Sequence, residues 1–208
     1  KKELKPELKS ELATPATHYI GDDDADMNSE HRTVREKIDA IEAQLKIGQK
    51  MSYNVAVVGA TGAVGREMIK TLAEREFPAD KVFALASKNS VGKEISYGDD
   101  DILTVQSVDG FDFADADIAL FSAGSGLSKE LGPKAGAAGC VVIDNSSAFR
   151  LDEDVPLIVP EVNGHVLAQY FKNNDRRNII ANPNCLTSPM VVALRPPHEA
   201  FGIKRVVV

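Results

Sequence analysis

The run Gly59-Ala60-Thr61-Gly62-Ala63-Val64-Gly65 constrains this chain more than any other stretch, because of what flanks it. Before it, Tyr53-Asn54-Val55-Ala56-Val57-Val58 reads as a short apolar strand. After it, Val64, Met68, Ile69 and Leu72 recur on one face and predict a helix over residues 63–75. Glycines permit a tight turn and close backbone approach, and a helix N-terminus presents unpaired amides, so strand, glycine loop and helix together suit a pyrophosphate. The spacing is GxxGxxG instead of the commoner GxGxxG. A plain strand-to-helix turn that uses glycine for its geometry is the competing reading.

Further strand-like runs lie at 81–86, 102–105, 118–121, 140–143, 157–159, 179–181 and 204–208, with helical segments at 128–138 and 162–171. Near-continuous apolar strands alternating with helices predict an α/β fold, a Rossmann-like doubly wound parallel sheet covered on both faces. We expect a dinucleotide-binding domain over 51–184 and the start of an α+β catalytic domain over 185–208. Because Val206-Val207-Val208 falls within a predicted strand, the sequence is expected to be a piece of a longer protein. Residues 1–50 are a charged leader, rich in Lys, Glu and Asp, that cannot build a core alone. Within it Val34, Ile38, Ile41 and Leu45 are spaced as one amphipathic helix, a docking element or an unpacked extension.

Charge narrows the function classes. A net charge of −7 and the lack of a Lys/Arg cluster argue against nucleic acid and favour a small-molecule substrate. Two cysteines, Cys140 and Cys185, make no disulfide framework, and no run of about 18 apolar residues exists to span a bilayer. Lys1-Lys2 leads into charge and Pro6 instead of an apolar signal core. These features predict a cytoplasmic protein with no membrane partner. No His/Cys/Asp cluster has metal-ligand spacing.

Two sites carry the chemistry. In NAD-binding versions of this fold an acidic residue about 20 positions past the glycine loop binds the ribose 2′-hydroxyl. Here the second strand ends Leu85-Ala86-Ser87-Lys88-Asn89-Ser90, without Asp or Glu. A hydroxyl and a cation at that place suit a 2′-phosphate, which favours NADP, with Lys88 as a solvated loop lysine the alternative. Further on, Asn182-Pro183-Asn184-Cys185 follows the strand at 179–181 and opens a helical segment over 189–194. A thiol there feels the positive end of the helix dipole, which favours thiolate. The alternative is a small buried cysteine at a tight turn. Cys140 reads as a core strand residue, and His165 and His198 as surface or structural.

Six stretches in order resemble the aspartate-semialdehyde dehydrogenases: 57–65, Ala84-Leu85-Ala86-Ser87, Phe121-Ser122-Ala123-Gly124, Asp144-Asn145-Ser146-Ser147-Ala148-Phe149-Arg150, Val159-Pro160-Glu161-Val162-Asn163 and Asn182-Pro183-Asn184-Cys185. The resemblance spans residues 51–208 and about the first half of a family member. It implies NADPH-dependent reductive dephosphorylation of aspartyl β-phosphate to aspartate semialdehyde, with phosphate released, through a thioester on Cys185. It further implies Arg150 on the substrate phosphate and Asn184 on the carbonyl. For the cofactor it implies Gly59, Thr61, Gly62, Ala63 and Val64 at the pyrophosphate, Ser87 with Lys88 at the 2′-phosphate, and Ser122, Ala123, Gly124 and Asn145 toward ribose and nicotinamide. Full-length members are expected to be homodimers.

Departures from the family pattern accompany the match. Leu186 stands where the family has a small hydroxyl residue, Asn89 where many members carry an arginine, and Pro196-Pro197 should break the last helix. The family's catalytic histidine lies past residue 208, so the chain alone is expected to show little dehydrogenase activity. The rival enzyme reading is an N-acetyl-glutamyl-phosphate reductase, whose cysteine motif usually has glycine where Asn184 stands. The rival outside enzymology is a non-catalytic nucleotide-binding module.

Overall fold

The computed structural model describes residues 52–99 and 101–207. The amphipathic helix expected within the leader lies outside the described residues. The strands are β1 (Tyr53–Val58), β2 (Ala79–Ala86), β3 (Glu94–Tyr97), β4 (Asp101–Thr104), β5 (Gln106–Ser107), β6 (Ile118–Phe121), β7 (Val141–Asp144) and β8 (Ile179–Ala181). The helices are α1 (Ala63–Glu74), α2 (Ser125–Ala137), α3 (Pro160–Asn163), α4 (Val166–Tyr170) and α5 (Thr187–Phe201).

Six strands form one parallel sheet in the order β5-β2-β1-β6-β7-β8. Numbered among themselves they run 3-2-1-4-5-6, the order of a doubly wound dinucleotide fold, which reverses direction between β1 and β6. The expected fold class is therefore the observed one. Alternate residues of β1 feed two cores: Ala56 and Val58 join Phe121, Val142 and Ala135 of α2 on one face, while Val57 joins Ile69 of α1 on the other. The first core is edged by an aromatic chain, Phe83 to Phe111 to Phe113 to Phe121, with ring centroids 5.1, 5.3 and 6.0 Å apart. Edge-to-face geometry suits the ring quadrupoles.

Several predicted elements differ in detail. The run at 102–105 lies outside the parallel sheet: β4 pairs antiparallel with β3 in a separate hairpin turned near Gly98, whose φ is +70°. Its inward residues Ile95 and Leu103 pack beside Ile69, where a crossover helix would otherwise cover the sheet. The single helix expected over 162–171 is two short ones, α3 and α4, separated at Gly164 and His165. The run at 157–159 makes only one bridge, Leu157 to Ala181, because Pro160 starts α3 directly after it. Residues 204–207 form no strand and make no ladder among the described residues. Pro196 and Pro197 do not end α5, which continues to Phe201. Proline's fixed φ is helical, but each ring removes an amide donor and crowds the carbonyl four residues before it, so the helix continues against a local cost; Arg195 ties it to the carbonyls of Glu161 and Val162 and pairs within the helix with Glu199.

Glycine placement shows how closely α2 is docked. A Cβ on Gly136 would lie 2.1 Å from the Arg177 carbonyl oxygen, whereas one on Gly126 would meet nothing within 4 Å. Gly136→Ala should therefore destabilise by about 1–3 kcal/mol through backbone displacement. Gly126→Ala, in the same helix, should be neutral or stabilising by roughly 0.5–1 kcal/mol. Urea unfolding of both variants checks the opposite signs.

Candidate active site

The carboxyl ends of the parallel strands line up along one edge of the sheet, and every expected site residue lies on that edge. β1 runs into Gly59, whose φ of +88° is a conformation glycine reaches without strain. A Cβ there would sit 2.9 Å from the Ser122 carbonyl oxygen, and one on Gly65 would sit 2.2 Å from the Gly59 carbonyl oxygen. Glycine is thus required by close packing of β1, α1 and the loop after β6. The Ser122 hydroxyl donates to the carbonyls of Val58 (3.2 Å) and Gly59 (3.3 Å), bracing the glycine loop from the opposite side of the reversal point. The first turn of α1 has no side-chain cap and no acidic residue. Its amides, with Gly62, Ala63 and Val64 exposed around them, form a cradle that an anion fits. Thr61 is half-buried, and its carbonyl accepts from Arg66 Nε at 3.2 Å.

Neither Gly124 nor Gly126 has a positive φ. Gly124 is the extended N-cap of α2 with φ −66°, and Gly126 lies within that helix. Neither would bring a Cβ against anything, so they leave space at the helix start. Ala123 packs against the core beside them.

At the end of β2, Ser87 is exposed and precedes a short 3-10 turn over Lys88–Ser90. The Lys88 ammonium lies 3.6 Å from Asp109, which follows β5. An acid missing from the β2 end thereby comes from the loop after the adjacent strand, set beside it by the Ala86↔Ser107 register and the Val108 amide bonded to the Ala86 carbonyl. Sequence reading missed Asp109 because the pairing that places it is non-local.

The thiol end is built from β7 and β8. The Asn184 carbonyl accepts from the amides of Thr187 (2.9 Å) and Ser188 (3.2 Å), and its side-chain oxygen accepts from the Leu186 amide at 2.9 Å. Although α5 proper starts at Thr187, this pattern makes Asn184 the effective cap and puts Cys185 in the first turn. Cys185 is exposed, not the buried residue of the alternative reading, and its sulfur lies 3.8 Å from the Asn184 side-chain oxygen. Leu186 is exposed beside it. The Asn184 side-chain oxygen thus shapes the turn that carries the thiol.

Arg150 is half-buried, and its Nε donates to the Asn182 carbonyl at 2.8 Å while one terminal nitrogen donates to the Asn145 carbonyl at 3.0 Å. Asn145 also accepts at its side-chain oxygen from Asn182 Nδ2, at 3.1 Å. The β7 and β8 loops are therefore stapled through one guanidinium and one amide pair. Asn182, unassigned from sequence, is a central member of this staple. His165 and His198 are exposed, and the His198 ring accepts from the Ile203 amide at 3.2 Å. Among the described residues no group of three or more His, Cys, Asp or Glu could hold a metal, and no helix is long and apolar enough to cross a membrane.

Comparison with known proteins follows the same outline. Residues 54–170 match the family model described as semialdehyde dehydrogenase, NAD binding domain. An aspartate-semialdehyde dehydrogenase of Rickettsia conorii is 54% identical over 156 residues, covering 75% of this chain and 45% of that protein. The crystal structure of aspartate semialdehyde dehydrogenase II from Vibrio cholerae, complexed with ASA, superposes with a TM-score of 0.70 at 52% identity, covering 74% of this chain and 49% of that one. The Candida albicans enzyme, solved with NADP, gives 0.57 at 27% identity over 73% of this chain and 48% of that one. The chain spans about half the length of the curated relatives it matches.

The two thiols differ sharply. Burial, and secondarily the Asp117 carboxylate, push the Cys140 thiol up to about 12. At about pH 8 a thiol reagent should modify Cys185 alone in the folded protein and both cysteines in denaturant. The unfolded chain releases the Cys140 proton near 9.0, so this contribution to stability is full below that pH and declines as pH rises toward 12. Urea midpoints measured above pH 9 should therefore fall more steeply for wild type than for Cys140→Ser.

Proposed function

The chain belongs to the semialdehyde dehydrogenase family, which it joins through the NAD-binding domain, and we propose that it carries the cofactor site and nucleophile of an NADP-dependent aspartate-semialdehyde dehydrogenase. The observation that carries the proposal is the staple of Arg150, Asn145 and Asn182, which fixes a guanidinium on the same strand ends that present an exposed thiol in the first turn of α5. A cation for phosphate and a nucleophile for the adjoining carbonyl are the two groups that an acyl phosphate needs.

In this reading the Cys185 thiolate attacks the β-carbonyl carbon of aspartyl phosphate, forming the C–S bond as the C–O bond to phosphate breaks. Phosphate leaves with the electron pair toward Arg150. The side-on edge of that guanidinium is occupied by two carbonyls, so the end-on pair of amino groups receives the anion. Amides of the α5 first turn, shaped by Asn184, face the carbonyl oxygen as negative charge develops on it. A bound nicotinamide cofactor would supply the hydride that reduces the thioester to aldehyde, with the C–S bond breaking to return the electron pair to the Cys185 thiolate. Gly59, Thr61, Gly62, Ala63 and Val64 would hold its pyrophosphate, Ser122, Ala123, Gly124 and Asn145 its inner ribose and nicotinamide side, and Ser87 with Lys88 its 2′-phosphate. The NADP preference is supported by the exposed Ser87 hydroxyl at the end of β2 and by the relative solved with NADP; it requires the Lys88 ammonium to exchange Asp109 for the 2′-phosphate. The protein is expected to act as a soluble homodimer in its full-length form.

Exposure to β-aspartyl phosphate formed in situ should add one aspartyl group at Cys185 by peptide mass, with an equal amount of phosphate released above uncatalysed hydrolysis, and Cys185→Ser should abolish the adduct and that excess. Excess release without an adduct would overturn the nucleophile. In fluorescence titrations NADPH should bind more tightly than NADH, and Lys88→Met should weaken NADPH by about three- to tenfold while leaving NADH unchanged. Equal affinity of wild type for the two would overturn the NADP preference.

A further inference from the structure

Asp144 ends β7 with its side chain wholly buried, and nothing in the chemistry above uses its charge. Its two carboxylate oxygens are each held by a hydroxyl at 2.7 Å: Oδ1 by Ser128 of α2, itself fully buried, and Oδ2 by Ser146 of the loop that follows. Ser146 in turn accepts the Ala148 amide at 3.0 Å, so its hydroxyl both shapes the loop and ties that shape to Asp144. A second hydroxyl pair, Ser125 with Ser147 at 3.1 Å, fastens the same loop to the same helix. On the backbone side the Asp144 carbonyl accepts the Asn182 amide at 2.8 Å, and the Asn145 amide bonds to the Phe121 carbonyl at 2.9 Å.

We propose that Asp144 is a positioning residue, whose buried carboxylate, held between Ser128 and Ser146, sets loop 145–150 so that Asn145 and Arg150 stand against the strand end carrying Cys185. A burial site with two donors requires an acceptor on both sides. An asparagine there offers one acceptor and one donor, and the Ser146 hydroxyl, already accepting from Ala148, would lose the partner for its proton. The loop would then relax, and with it the Asn145 carbonyl that holds Arg150. The inference rests on Arg150 as the anion site of the proposed function.

Iodoacetate and iodoacetamide are an anionic and a neutral reagent of nearly the same shape. The ratio of their rate constants at Cys185, read by peptide mass, cancels changes in thiol exposure and reports the positive charge near the sulfur. Wild type should favour iodoacetate relative to a free cysteine peptide, and Arg150→Met should lower the ratio by about fivefold. Asp144→Asn and Ser146→Ala should each lower it by at least about threefold while unfolding stays cooperative; should Asp144→Asn fail to fold, Ser146→Ala carries the test. A low ratio in Arg150→Met with a wild-type ratio in the folded Asp144→Asn or Ser146→Ala variant would overturn the positioning role. An unchanged ratio in Arg150→Met would instead overturn the anion site on which it rests.

Discussion

Gly59 meets the loop after β6 without a side chain between them, and the rest of the site is arranged around that approach. A Cβ at Gly59 would fall 2.9–3.0 Å from Ser122 atoms, and a Cβ at Gly65 would fall 2.2 Å from the Gly59 carbonyl oxygen. Three segments, the β1 end, the α1 start and the β6 loop, therefore share one small volume. The Ser122 hydroxyl closes it by donating to both carbonyls at the end of β1. Because this happens where strand order reverses, the first helix turns away on one side and α2 on the other, leaving a crevice between them.

From that crevice the site extends outward by hydrogen bonds between successive strand ends. Asn145 bonds to Phe121, Asn182 bonds to Asp144, and Arg150 reaches back across both loops. Asp144 secures the middle of this series from below. A carboxyl group removed from water is costly unless hydrogen-bonded, and removing one of its two hydroxyl donors leaves a buried acceptor unsatisfied, so such a group favours one arrangement of its neighbours. Farther out, Arg177 bonds to Asp152 (2.7 Å) and Asp154 (3.2 Å) and lies over the Phe149 ring, closing the same loop at its far end. Partial exposure of these charges keeps their contribution modest.

Much of the fold was readable along the chain, because parallel strands buried on both faces must be apolar runs and the glycine loop must follow a strand. Tyr53–Val58, Ile118–Phe121 and Ile179–Ala181 match their predicted extents for that reason. The hairpin β3–β4 was not readable as such, since a short apolar run does not say which neighbour it pairs with. The passage of α5 through Pro196 and Pro197 was likewise hidden, because tethering by Arg195 comes from residues more than thirty positions away. Cys185 was legible as a candidate from its motif, but its exposure and its place in a helix turn capped by Asn184 came from the tertiary structure.

The sequence alone determined the class of fold, the glycine-lined cradle after β1 and the residue types of the site, since each depends on local pattern: period, turn chemistry and the spacing of a motif. Only the tertiary structure decided who touches whom. It put Asp109 beside Lys88, where the β2 end carries no acid of its own, turned the fork of Arg150 onto two backbone carbonyls, and buried Asp144 between two hydroxyls of separate elements. The physical reason is the same in each case. Register between strands joins residues far apart in the chain, and hydrogen bonds at van der Waals range depend on that register to a fraction of an ångström, which no local pattern encodes.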